Sequence, residues 1–310
     1  MSATTTSWHA GEVAMQRAAG VEERLAELAP RVLRDHMPEQ HREFFEQLPM
    51  LFVGSLDARQ RPWASVLVGW PGFIATPDAK HLRVDASPRR GDPLCDGLVL
   101  GAELGLLGIE PATRRRNRMN GTVVALDEAG FDVRVDQSFG NCPQYIQSRA
   151  PRWVERVPAV SVELGPRLDA AAGRLIAQAD TLFIASAAPG AGADVSHRGG
   201  RSGFVRVETV DDRTVLTFPD FRGNFFFNTL GNLATHPRAG LLFIDHATGG
   251  VLQLTGRAAI IATGSEVEAF TGAQRLVRME VEAGVWWARA LPFAWSEPEQ
   301  ASQLTATGRW

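Results

Sequence analysis

Gly105-Leu106-Leu107-Gly108-Ile109-Glu110-Pro111-Ala112-Thr113 and Gly240-Leu241-Leu242-Phe243-Ile244-Asp245-His246-Ala247-Thr248 are one phrase written twice. The same offset continues without a gap to Gly121 and Gly256, and back to Asp85 and Asp220. Upstream, Phe52 to Phe73 lies over Phe183 to Phe204, sharing Ser55/Ser186, Ser65/Ser196, Gly69/Gly200 and Gly72/Gly203. Downstream, Val133-Arg134-Val135-Asp136 lies over Val277-Arg278-Met279-Glu280, and Gly140 over Gly284. Three blocks in one order read as two diverged copies of a single unit, and a repeat outranks any element-by-element reading of a fold.

Inside each copy a short amphipathic helix (His41 to Gln47, and Ala170 to Gln178) runs into a β-branched and aromatic stretch, LFVGSLD or LFIASAA. Further short strands follow, cut by Gly, Pro and Asp turn signals, including an Asp-Asp turn in SGFVRVETVDDRTVLTF and a Gly-Gly hairpin turn in GLLFIDHATGGVLQLTGRAAI. The spacing predicts antiparallel barrels. The chain is therefore expected to be mainly β with peripheral helices: a helical N-terminal arm over 1–47, a first barrel over 48–160 and a second over 161–310. In the arm, Val13, Ala14, Ala18, Val21, Leu25 and Leu28 recur at helical spacing, and Pro30 is expected to break the helix. The arm should pack on the barrels or on a partner subunit, which leaves a homodimer open.

Composition narrows the function. The 310 residues carry a formal charge of −3, with 45% hydrophobic and 22% charged residues, which fits a folded protein and gives no electrostatic reason to expect nucleic acid. No basic flank with an apolar stretch opens the chain, and nothing approaches the roughly 18 apolar residues of a membrane span. A cytoplasmic protein with no membrane or nucleic-acid partner is expected. Cys95 and Cys142 cannot build a disulfide framework or a four-thiolate metal site, and no metal site is expected. Lys80 is the only lysine, so a bound phosphate must be held by arginine, hydroxyls, amides and backbone N–H groups. Arg114-Arg115-Arg116-Asn117-Arg118 reads as a solvated hairpin tip.

The copies differ in a directed way. Ala64-Ser65-Val66-Leu67-Val68-Gly69-Trp70 is apolar, whereas Val195-Ser196-His197-Arg198-Gly199-Gly200-Arg201 in its place is polar. The second copy also supplies FPDFRGNFFFNTLGNL (Phe218 to Leu233), aromatics interleaved with Arg, Asn and Thr. Such a run gives both an apolar floor and donors for an anion.

FGNCPQYIQ (Phe139 to Gln147), DVSHRGGRSGFVRV (Asp194 to Val207), FPDFRGNFFFNTLGNL and AGLLFIDHATGGVLQLTGR, in that order, resemble the double-barrel branch of the pyridoxamine 5′-phosphate oxidase-like split-barrel flavoproteins. The resemblance runs from about Trp8 to Pro292 and implies two tandem FMN-binding split β-barrels with FMN between them. It implies Arg198, Arg222, Asn224, Asn228 and Thr229 around the phosphate and Gln253 on the flavin ring, while the family's basic Ser-Arg-Lys phosphate stretch is absent. Phe139-Gly140-Asn141-Cys142-Pro143 lies over Ala283 to Trp287, so Asn141 and its loop should cover the flavin of the second copy. A reciprocal site of Ser87, Arg89, Arg90 and Trp286 should be vestigial, with Arg118 there in place of Gln253. No catalytic residue is assigned.

The reading is an FMN-dependent oxidoreductase acting on a small-molecule substrate, or receiving electrons from a separate reductase, since no cysteine set for an iron–sulfur cluster and no GxGxxG fingerprint occurs. The rival is a non-catalytic flavin- or haem-binding module serving as carrier, sensor or relay.

Overall fold

The computed structural model describes residues 8–157 and 160–310. The first seven residues of the predicted arm, and residues 158–159 beside the predicted barrel boundary, lie outside them. The arm folds as α1 (Ala10–Ala18) and α2 (Glu22–Val32), followed by α3 (Glu39–Glu46). Its break falls at Gly20, with φ +67°, and not at Pro30, which lies inside α2. Glycine enters the left-handed region without steric cost, whereas a proline in a last turn removes one bond from a helix about to end.

Seven strands follow: β1 (Met50–Leu56), β2 (Pro62–Val68), β3 (Ile74–Asp78), β4 (His81–Val84), β5 (Glu103–Glu110), β6 (Arg115–Leu126) and β7 (Phe131–Gly140), with α4 (Leu94–Gly97) between β4 and β5. They hydrogen-bond in the order β2-β1-β5-β6-β7-β4-β3. After β8 (Pro151–Trp153), β9 (Val162–Leu164) and α5 (Ala170–Gln178) come β10 (Thr181–Ala188), β11 (Gly192–Gly199), β12 (Arg206–Val210), β13 (Arg213–Phe221), α6 (Asn228–Thr235), β14 (Arg238–Asp245), β15 (Gly250–Ile261), α7 (Ser265–Ala269), β16 (Ala273–Trp287) and β17 (Phe293–Trp295). Their main sheet is ordered β11-β10-β14-β15-β16-β13-β12, with β9 added to β16 and β17 paired with β8. Strand for strand the two sheets have one topology, and α4 and α6 occupy the same place in each. The Asp-Asp turn is a two-residue hairpin between Val210 and Arg213, both aspartates having positive φ, 47° and 61°, as a type I′ turn requires.

Each sheet wraps its own core, Leu51, Leu82, Leu106 and Phe131 in the first, Leu182, Phe218, Phe243 and Leu254 in the second. A third buried cluster joins them, with Met50, Phe52 and Leu107 from one sheet against Phe183, Leu242 and Val285 from the other. At its centre the repeat equivalents Phe52 and Phe183 stack, ring centroids 3.6 Å apart and 13° from parallel. The equivalents Gly105 and Gly240 let the sheets close up. A Cβ on Gly105 would lie 2.5 Å from Asp194 Cα, and one on Gly240 2.6 Å from Trp63 Cα. The same approach is thus made twice, as a pseudo-twofold axis requires. The arm bridges the outside of the seam, where Trp8, Leu25 and Leu33 pack with Phe139 and Phe226. No helix among the described residues is long and apolar enough to cross a membrane.

Candidate functional site

Where the sheets meet, a cleft of about 860 Å³, part of it open to solvent, takes its lining from both. The second half supplies His197, Arg198, Asp220, Asn224, Phe225, Phe227, Asn228 and Thr229; the first supplies Arg116, Arg118, Asn141, Cys142 and Tyr145. Strand alternation explains the arginines. Arg116 and Arg118 are two residues apart on β6, hence on one face, and that face meets the other barrel. The loop after β7 can cross β11 only because Gly199 has no side chain: a Cβ there would lie 1.9 Å from the Tyr145 carbonyl oxygen. Tyr145 Oη donates to the Arg222 carbonyl at 3.1 Å, its ring lies 5.2 Å from that of Phe221, and Gln147 Nε2 donates to the Gly200 carbonyl at 3.0 Å. The FGNC loop therefore faces the FRGN segment. Phe225 and Phe227 have φ of 65° and 62°, a conformation costing bulky residues about 1–3 kcal/mol each, of the kind that collects at ligand sites.

A buried polar network floors the cleft at the start of α6. Arg118 Nη1 donates to Asn228 Oδ1 at 2.9 Å and Nη2 to Ser196 Oγ, and Ser196 Oγ shares a hydrogen bond of 2.9 Å with Thr229 Oγ1. Asp194 lies 3.8 Å from Arg118 and accepts from Asn120 Nδ2 at 2.7 Å and Asn232 Nδ2 at 3.1 Å. From α1, Glu12 accepts from Asn228 Nδ2 and from the His9 N–H at 2.8 Å. Burial first, and then the Asp194 charge, push the Glu12 carboxyl up to about 8. Burial and the Arg198 charge bring Arg118 down to about 10, and burial with Arg118 and Arg198 brings Arg116 down to about 9. Burial, Arg116 and Arg198 also hold the His197 imidazole well below its usual range. It is neutral, and its Nδ1 accepts from Arg116 Nη1 at 3.1 Å, so the ring hydrogen is on Nε2. Burial pushes the Asp220 carboxyl up, against the pull of Arg198 and Arg275. The Nε groups of Arg116 and Arg118 and Oδ1 of Asn141 are buried without a partner. A cleft with spare guanidinium donors and clustered positive charge is built for an anion.

Of the residues singled out in the sequence, Arg198, Asn224, Asn228, Thr229 and Asn141 line this cleft. Arg222 is exposed at its rim, its guanidinium 5.7 Å from the Phe225 ring centroid. Gln253 lies elsewhere, and Arg118 is neither on a solvated tip nor in the reciprocal site. The two have exchanged places because each cleft takes its β6 or β15 residue from the opposite barrel. The sequence signal was present, since Arg118 and Gln253 are repeat equivalents, as are their partners Ser196 and Ser65.

Gln253 belongs to a smaller cleft, about 480 Å³, with Ser87, Arg89, Asp92 and Trp287. Its Nε2 donates to Ser65 Oγ at 2.9 Å and to the Ala64 carbonyl at 3.0 Å, and its Oε1 accepts from Trp287 Nε1 at 3.0 Å. Asp92 Oδ1 accepts from Ser65 Oγ at 2.6 Å and from the Leu94 N–H at 2.9 Å. The start of α4 thus already faces a carboxylate of the chain itself, and α4 has only four residues. Trp287, rather than the expected Trp286, reaches this cleft. Among the described residues no group of three or more metal-ligating side chains occurs.

Residues 168–301 match the family profile of pyridoxamine 5′-phosphate oxidase. A comparison with curated proteins finds no match. Solved structures that align include HupZ of Group A Streptococcus, at 11% identity and TM-score 0.30 over 37% of this chain and 90% of that one. The heme storage protein HutZ of Vibrio cholerae aligns at 15% and 0.26 over 38% and 93%, and a pyridoxamine 5′-phosphate oxidase-related, FMN-binding protein of Nostoc punctiforme at 10% and 0.26 over 40% and 87%. The matched stretch, residues 168–301, folds as the second β sheet and its helices, and the likeness to the pyridoxamine 5′-phosphate oxidase family rests on that half of the chain.

Proposed function

We propose that the large cleft binds FMN and that the protein is an FMN-dependent oxidoreductase or electron-transfer flavoprotein acting on a small molecule. The observation that carries this is the buried Arg118 at the foot of the cleft, hydrogen-bonded to Ser196 and to Asn228 at the start of α6, with its Nε unpaired. Arg118, Ser196, Thr229 and the open start of α6, whose N-cap Phe227 makes no side-chain cap bond, would hold the phosphate. Arg198 adds charge from β11, and Arg222 guards the mouth. Asn141 and Tyr145 cover the cleft and Phe225 and Phe227 give the ring apolar surface. Bound FMN supplies hydride or electron transfer, while these residues bind it, orient it and exclude water.

The two clefts differ in what they offer a phosphate. At the small one Asp92 already faces the helix start and would repel an anion, so one flavin per chain is expected. A spectrum of the purified protein and calorimetric titration with FMN test the reading. Flavin absorbance with saturation at one per chain supports it. Two per chain would show the small cleft to be functional, a Soret band would move the site to the haem-binding alternative, and no chromophore with no FMN uptake would end both.

A further inference from the structure

Positive charge remains in the large cleft after its ion pairs are assigned. Arg118 has Asp194 at 3.8 Å, while Arg198 and Arg275 share Asp220, each at 3.6 Å. Arg116 has only His197, a neutral acceptor at 3.1 Å. Among the described residues no carboxylate lies within ion-pair distance of it, and its Nε is buried and unbonded. Asn141, whose Oδ1 is also unbonded, lines the same cleft. A buried charge without a partner is costly unless something occupies the site with it. Arg116 is two residues from Arg118 on β6, so their Cα atoms are about 7 Å apart. A phosphate seated on Arg118, Ser196 and Thr229 meets its own set of donors, and the buried Nε of Arg116 is not among them.

We propose that Arg116, held by His197, is the receptor of a second anion beside the cofactor phosphate, and that the substrate is accordingly a small organic acid recognised through its carboxylate. The word substrate rests on the function proposed above; the second anion site does not. His197 acts as a positioning residue. Its Nδ1 lone pair accepts from Nη1 and so orients the guanidinium, and being neutral it does not compete with the incoming anion. Arginine suits the role because its planar fork grips a carboxylate with two parallel bonds.

The test uses the full chain. Flavin-free protein is titrated with inorganic phosphate by calorimetry, and FMN-loaded protein with benzoate, read by the flavin difference spectrum. Two phosphates per chain are expected in the first titration, one of them displaced by FMN. Arg116→Gln should weaken the remaining site and the benzoate response by on the order of ten- to hundredfold, with no fall in melting temperature. Arg116→Lys should recover part of the benzoate affinity. One phosphate per chain in the wild type would sink the second site. So would Arg116→Gln losing FMN as severely as Arg118→Gln, because the guanidinium would then serve the flavin. Failure of FMN to bind while both phosphates do would overturn the cofactor reading and leave the second anion site standing.

Discussion

Glu12 shows how a single carboxyl can be tied to the cleft from a helix outside the barrel. Its side chain is buried beside Asp194 and accepts from Asn228, the first residue of α6. Because its folded-state value is raised to about 8 from an ordinary 4.5, the folded chain holds this proton more tightly than the unfolded one. The penalty is absent below the ordinary value, grows by at most about 1.4 kcal/mol per pH unit through the window, and levels off above pH 8. Stability should therefore fall as pH rises from 4.5 to 8, and Glu12→Gln should flatten that fall. Denaturant midpoints measured across the window check it; equal slopes in both proteins would show that Glu12 is not the titrating group. Nothing in the sequence marked Glu12, because its burial depends on a helix docking on α6 from more than two hundred positions away. Arg118 was hidden differently. A run of arginines after a turn reads as solvated, and only the docking of the two barrels, which sets Arg118 against Ser196 and Asn228, shows that alternate members of β6 face the other barrel.

A second determinant lies between elements, where α1 crosses α6 at two glycines. A Cβ on Gly231 would lie 2.6 Å from the Glu12 nitrogen, and one on Gly11 2.2 Å from the Gly231 carbonyl oxygen. Gly231→Ala should cost about 1–3 kcal/mol by forcing the helices apart. Gly165→Ala, where nothing lies within 4 Å of the new Cβ, should change stability by less than about 0.5 kcal/mol. Equal stability changes in the two variants, measured by urea unfolding, would show that the crossing is not tight at Gly231, since helix propensity and the unfolded chain both favour alanine there. Strands and hairpins were legible because turn chemistry and β-branched runs are local properties. The interruption of the arm was misplaced because a Gly and a Pro compete for the same break, and the left-handed Gly20 is the cheaper solution. The exchange of Arg118 and Gln253 between clefts was out of reach locally, since strand pairing within a barrel does not say which barrel a β6 side chain faces.

Across the molecule, the equal strand order of the two sheets has the largest structural consequence, because it allows them to meet about a pseudo-twofold axis. Phe52 and Phe183 stack at that axis and belong to the buried cluster joining the sheets. Phe52→Ala, although its residue lies in the first sheet, should destabilise the whole chain by about 3–5 kcal/mol. Far-UV circular dichroism and tryptophan fluorescence should still report one coincident unfolding transition. Two separated transitions in the wild type would show the barrels to be independent.

That axis also changes what a substitution can do. In a dimer of identical subunits every replacement is made twice, so no cleft can depart from its twin. Here Ser65 and Ser196 stand at matching places, yet one donates to Asp92 while the other accepts from Arg118. Written on one chain, the two halves accept changes singly. A carboxylate that would block ligand entry at both clefts of a symmetric pair is confined to one, where it serves as mortar between the barrels while the other stays free to specialise.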